Sequence, residues 1–374
     1  MTLRRLVFPA LAAVSLGFAA LACNLSGDDR PPTIIPRASP TPQPTIGYAT
    51  PRPDELPDDA TIVAPQIRTD AALTGILSQV AADQLFVHVN SLQNTFTRHV
   101  NSSQTDPNYG IGAAANYITQ QFATIRDQSS GRFILMEPHR FGFEWANQSN
   151  TGSNIVGVLQ GTDPSAGIIL LGAHYDSISR LYEDATAFAP GANDNASSIA
   201  AMIEIARIMS QRPHKATIMF VAFGAEEIQR RGSSAFVTDY VLPNNLPIEA
   251  MLNMDIIGSS TGPDGQTVDD KMRLYSVEPN NSPSRELARA INLIGSRLNP
   301  TMAIELQSSG DREGRYSDHL SFSDVGYPAV RFIEYLENPN RQHSETDTID
   351  AIRPSYLVKT TQTVLAVATA LADG

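Results

Sequence analysis

A single cysteine, Cys23, in 374 residues excludes an internal disulfide framework and any zinc site built on thiolates. A metal would therefore need histidine and carboxylate ligands. Positive charge is also scarce, with 27 Lys and Arg against 39 Asp and Glu and a formal net charge of -12. The chain thus offers no basic footprint for a phosphate backbone, and no nucleic-acid partner is expected. Beyond the N-terminal segment no apolar run is long enough to span a bilayer. No internal repeat and no second linker divide the chain. What is present is 42% hydrophobic residues, enough for a sizeable core.

Residues 1–22 have the grammar of an export signal: Arg4 and Arg5, an apolar stretch over 6–20, and small residues before position 23. The end of that segment, Leu21-Ala22-Cys23, resembles the lipobox of bacterial lipoproteins. The resemblance implies cleavage before Cys23, lipidation of its thiol, and anchoring to the cell membrane outside the cytoplasm. An ordinary secretory signal with an incidental cysteine, and hence a secreted protein, is the alternative. Residues 23–69 hold ten of the 25 prolines, interleaved with Thr, Ser, Asp and Gln. Such a composition cannot bury enough apolar surface to offset the entropy of ordering it, and it predicts a disordered tether. At about 3.1 Å per residue its reach is at most roughly 140 Å.

From residue 70 the pattern changes. Apolar residues three or four apart predict helices over 71–97 and 113–125, with others over 196–209, 285–294 and 356–372. Short apolar runs over 154–159, 167–171, 216–223, 250–257, 272–277 and 329–333 predict strands. Their alternation predicts an α/β fold for residues 70–374, a single domain with a mixed, mostly parallel central sheet flanked by helices on both faces.

In such a sheet, ligands bind beyond the carboxyl ends of the strands, so the residues after each run matter most. The run IILLGA ends in His174-Tyr175-Asp176, TIMFVAFGA in Glu226-Glu227, AMLNM in Asp255, and AVRFIE leads through a loop to His343. Ahead of the helix at 196 lies Gly191-Ala192-Asn193-Asp194-Asn195, a turn-forming stretch. Any one of these polar residues is ordinary at a strand end. Two histidines and several carboxylates gathered on one rim form a hard nitrogen and oxygen site suited to zinc or a similar divalent ion.

The segments GAHYDS, PGANDNASS, FGAEE, NMDIIG, YSDHLSF and HSETDT, in this order, resemble the motifs of metallopeptidase family 28, the co-catalytic zinc exopeptidases. The likeness covers roughly residues 80–370. It implies two Zn2+ ions per chain, one held by His174, Asp194 and Asp255 and the other by Asp194, Glu227 and His343, with Asp194 bridging. Glu226 matches the general base. Asp176, two residues after His174, is expected to accept that imidazole's free N–H, and Asp347 is expected either to do the same for His343 or to cap a helix. Asp318 resembles a position near the substrate, and Tyr316 is a candidate oxyanion donor. His319 is read as structural, and His88, His99, His139 and His214 as surface or packing residues. Asn195 and Ser198 stand where the family often has Asp and Gly.

The function implied is a metallo-aminopeptidase that removes N-terminal residues from peptide substrates. A carboxypeptidase or other amidohydrolase of the same family is the close alternative, with Arg312, Arg315 and Arg331 as its possible basic pocket. A glutaminyl cyclase fits less well because it would use a single zinc. A non-catalytic, peptidase-like binding ectodomain on a stalk is the reading from another class. The loop over 180–189, between the first histidine and Asp194, is expected near the site.

Overall fold

The computed structural model describes residues 71–374. The expectations for the export signal, Cys23 and the tether lie outside the described residues. In chain order the elements are α1 (Ala71–Leu77), α2 (Ala82–Gln93), α3 (Gly110–Gln128), β1 (Phe133–Leu135), β2 (His139–Trp145), β3 (Gln148–Leu159), β4 (Ile168–His174), α4 (Ser197–Met209), β5 (Thr217–Phe223), α5 (Arg231–Phe236), β6 (Ile248–Met254), β7 (Lys271–Ser276), α6 (Pro283–Leu298), β8 (Ala303–Leu306), α7 (His319–Ser323), β9 (Ala329–Glu334) and α8 (Pro354–Asp373).

The strands form one sheet in the order β1-β3-β5-β4-β6-β9-β7-β8, with β2 paired to β3 as a hairpin. The sheet is mixed. Its centre is parallel, with β4 between β5 and β6 and β6 beside β9, while β3 meets β5 and β7 meets β9 in antiparallel sense. All seven residues of β4 are buried. Successive side chains point to opposite faces, so burial of the whole run means that both faces of the sheet centre are covered. This is why IILLGAH reads as an unbroken apolar run rather than an alternating one.

The helices supply the cover. α4 packs against β4 and against α2 and α8, and twelve of its thirteen residues are buried, so it is apolar almost all round. α6 starts at Pro283 behind Ser282, whose hydroxyl accepts from the Arg285 amide at 3.2 Å. It lies against β7, β8 and β9. Among the described residues no helix is long and apolar enough to cross a membrane.

Two local outcomes differ from the periodicity. The single helix expected over 71–97 is two, because the chain turns at residues 78–81 and Ala81 is extended at φ -113° before α2 begins. The hairpin of β2 and β3 was hidden because much of it lies at the exposed edge, with only Phe141 and Phe143 of β2 buried.

The functional consequence lies in one rim. β5, β4, β6 and β9 are adjacent and parallel, so their carboxyl ends emerge together.

Candidate metal centre

Each of these four strands delivers polar groups to that rim. His174 is the last residue of β4, Glu226 and Glu227 follow β5, Asp255 follows β6, and the chain beyond β9 returns His343 and Asp347. Asp194 comes from a five-residue turn, Ala192–Ala196, that runs into α4. The backbone is left-handed at Ala225 (φ 62°), Ile256 (φ 63°) and His343 (φ 54°), beside or at three of the candidate ligands. Such a conformation is costly for a β-branched residue like Ile256, and strain of this kind is held where it sets a functional geometry.

The side chains converge. His174 Nε2 lies 3.3 Å from Asp194 Oδ1, 3.5 Å from Asp255 Oδ1 and 3.9 Å from Glu226 Oε2. His343 Nε2 lies 3.4 Å from Asp194 Oδ2 and 3.0 Å from Glu227 Oε2. Asp194 therefore turns one oxygen to each imidazole. One ligand atom each from His174, Asp194 and Asp255 fall within 4.8 Å of one another, as do those from Asp194, Glu227 and His343. A third grouping, His174, Glu226 and Glu227, overlaps these.

The electrostatics fit a cation. Glu227 Oε1 and Asp255 Oδ1 are buried without a hydrogen-bond donor, and so are both carboxyl oxygens of Asp318. Burial pushes the Glu226 carboxyl well above its usual range, and Asp255, Asp318 and Glu227 add repulsion that His174 only partly offsets. Burial likewise raises Glu227, with Asp194 adding to it against the pull of His343, and raises Asp318 to about 7. Glu227, in turn, lifts His343 to about 11. So many carboxylates in a buried cluster call for positive charge, and the hard oxygen and imidazole donors suit a divalent ion such as zinc.

The supporting contacts differ in part from expectation. His174 Nδ1 faces the Asp176 backbone carbonyl at 3.2 Å and its carboxylate at 3.5 Å, which leaves Nε2 to the cluster. The same Asp176 carboxylate also accepts the amides of Glu226 at 3.0 Å and Glu227 at 3.1 Å, fixing the turn that carries both. Asp347 takes the capping alternative rather than a bond to His343. Its carboxylate accepts the amides of Asn193 at 2.9 Å and Asp194 at 3.0 Å, at the head of the turn that runs into α4. Tyr316 makes its ring contact with Arg230. The residue is 60% exposed, and its ring lies 5.9 Å from the guanidinium.

Asn195 ties the Asp194 turn to β6, donating to the Met254 carbonyl at 3.1 Å and accepting the Ile256 amide at 2.9 Å. The histidines read as bystanders are packing residues. His88 bonds Tyr117 Oη at 2.8 Å, His214 meets Asp373 at 3.0 Å, and His139 bonds the Asn154 amide at 3.0 Å. His319 is buried against the Gly310 carbonyl and held down at about 4 by that burial.

Two buried arginines support the site: Arg98, which the sequence did not single out, and Arg331, expected only as a possible pocket residue. Arg98, fully buried, donates to the carbonyls of Tyr175 and Pro190 at 2.6 Å and of Gly191 at 2.9 Å, lacing together the segments after His174 and before Asp194. Burial lowers it to about 10, against the pull of Asp347, Asp176, Asp194 and Glu227. Arg331 lies 3.0 Å from Asp255 Oδ2 and bonds Asp311 at 2.8 and 3.0 Å. The signal for Arg331 was a charge in the middle of the buried strand AVRFIE.

With this geometry in place, comparison with known proteins gives a consistent result. A family model described as peptidase family M28 matches residues 154–368. The chain belongs to peptidase family M28. A probable zinc metalloprotease of Phaeosphaeria nodorum is 32% identical over 308 residues, covering 73% of this chain and 62% of the relative. One from Pyricularia oryzae is 33% identical over 339 residues, covering 81% and 67%. This M28 chain thus spans about three fifths to two thirds of the length of these curated relatives. Among solved structures, the LapA aminopeptidase of Legionella pneumophila is similar with a TM-score of 0.64 at 21% identity, covering 84% of this chain and 78% of that one. At that identity the likeness is one of fold.

Proposed function

We propose that this M28 chain is a two-zinc aminopeptidase that hydrolyses the N-terminal bond of peptides. The observation that carries the reading is Asp194, which turns one oxygen toward His174 and Asp255 and the other toward His343 and Glu227. Two zinc ions bound by these triads would polarise the scissile carbonyl and acidify a water toward a pKa of about 7.

The chain's own residues then do the rest. Glu226 stands beside the ligands, and its raised proton affinity suits a carboxylate that takes a proton from water and returns it to the leaving amine. Asp176 holds Glu226 and Glu227 in register through their amides. Asp318, buried with both oxygens unpaired, offers a charged N-terminal amine a partner.

The arginines that an acidic C-terminus would need are engaged elsewhere, which favours the aminopeptidase over a carboxypeptidase. Arg331 is committed to Asp255 and Asp311, Arg312 to Glu337, and Arg315 to Gln342 at 2.6 Å. The signal-like N-terminus, Cys23 and the proline-rich segment support a lipid-anchored position outside the cytoplasm, and labelling with a radioactive fatty acid that depends on Cys23 tests it.

Glu226→Gln tests the mechanism. The variant is expected to retain about two zinc ions per chain while turnover of aminoacyl anilides falls about 10²- to 10⁴-fold. Turnover equal to the wild type would contradict the role of Glu226, and cleavage of N-acetylated peptides at internal bonds would contradict the exopeptidase reading.

A further inference from the structure

Arg331 stands in the middle of β9, fully buried, and its immediate neighbours do not balance its charge. Its Nη1 donates to both oxygens of Asp311 at 2.8 and 3.0 Å. Arg312 meets Asp311 at 3.5 Å and also pairs with Glu337, whose other oxygen lies 2.6 Å from Arg273. Three guanidiniums thus share two carboxylates. Against burial, Arg331 and Arg312 hold Asp311 below the usual range, and Arg312 and Arg273 do the same for Glu337, so both carboxylates are charged. One positive charge is left over. It faces the metal centre, where Arg331 Nη2 lies 3.0 Å from Asp255 Oδ2.

Placing Asp255 does not require this guanidinium. Ser317 Oγ donates to Asp255 Oδ2 at 2.6 Å and is itself oriented by Asn253 Nδ2 at 2.7 Å. Arg331 Nη2 makes no hydrogen bond, so its contact with Asp255 is one of charge. A buried ion pair alone is weak evidence for any role. Here, however, the pairing is unequal across the centre. Among the described residues Asp255 pairs with an arginine, whereas the ion pairs of Asp194, Glu226 and Glu227 are with His174 and His343. A carboxylate whose repulsion is already offset depends less on a divalent ion and attracts it less.

We propose that Arg331 is a built-in counter-ion of the metal centre. Its charge keeps the carboxylate cluster folded before zinc binds, and in return it weakens zinc on the Asp255 side. This rests on the two-zinc reading of the site and adds to it how the cluster withstands its own repulsion without metal.

The test reads folding and zinc binding of the full-length protein and needs no substrate. Melting temperatures are taken by circular dichroism in excess chelator and in saturating zinc, and zinc affinities by competition with a chromophoric chelator. Wild-type protein is expected to melt cooperatively in chelator, and a wild type unfolded there would overturn the proposal. Asp311→Asn removes the other partner of Arg331 and keeps its charge, so it is the reference for the double variant Asp311→Asn/Arg331→Met. Relative to that reference, the double variant is expected to lose several degrees more in chelator than in zinc, and to bind one of its two zinc ions about tenfold more tightly. Arg331→Lys keeps the charge without the planar fork and should show the wild-type rise in melting temperature on adding zinc. Equal losses with and without zinc, zinc binding that is unchanged or weaker, or a lysine variant that behaves like the methionine one would overturn the counter-ion. So would a double variant that fails to fold even in zinc, since zinc should replace the missing charge. In each of these cases two zinc ions on the wild type would leave the metal-site reading standing. A wild type that binds no zinc would overturn both.

Discussion

Asp347 shows at the scale of single residues how a site depends on groups that are not themselves ligands. Its carboxylate receives the amides of Asn193 and Asp194, more than 150 positions away, so it sets the height and tilt of the shared carboxylate. Burial drives it up to about 7. Asp347→Asn keeps the volume but leaves one oxygen to serve two amides. Supporting groups of this kind are worth about 10- to 100-fold in metal affinity, so the variant should bind zinc that much more weakly in competition with a chromophoric chelator while its circular dichroism is unchanged. Wild-type affinity would contradict the role. Legibility at this scale followed distance along the chain. His174, Glu226, Glu227 and Asp255 were readable because each lies directly after an apolar run. The partners of Asp347, Arg98 and Arg331 were not, because each acts across a long sequence separation that only the fold closes.

At the scale of elements, strands buried on both faces were the most readable, since β4 and β5 leave nearly continuous apolar runs and β9 one broken only by Arg331. Short or half-exposed strands such as β1, β2 and β8 leave no such trace. The start of α5 shows how closely elements meet behind the site. A Cβ on Gly232 would lie 1.9 Å from the Gly224 carbonyl oxygen and 2.6 Å from Asn154 Oδ1. Gly224 opens the turn that carries Glu226, and Asn154 holds it by accepting its amide at 3.0 Å. Gly232→Ala must push that turn. Overpacking of this sort costs about 1–3 kcal/mol or more, so the melting temperature should fall by several degrees and activity with it. An unchanged melting temperature would show that α5 can retreat without cost.

For the whole molecule, the excess of acid has two parts. Some carboxylates are drawn into one buried cluster where four parallel strands end together, and their mutual repulsion is the reason to expect cations there. Others, such as Asp127, Glu278 and Asp324, are exposed and favour solubility. Fold class and the gathering of ligands were foreseeable because the chain order of the motifs and the parallel centre of the sheet demand the same rim. The loop contacts that shape what reaches the rim were not, since they depend on how segments 180–189 and 335–347 pack together. The central claim is that five side chains hold two cations that share Asp194. Anomalous scattering at the zinc edge from crystals of the zinc-saturated chain tests it most directly. The account predicts two peaks about 3.5–4 Å apart, one among His174, Asp194 and Asp255 and the other among Asp194, Glu227 and His343. A single peak at full occupancy, or zinc bound away from Asp194, would contradict it.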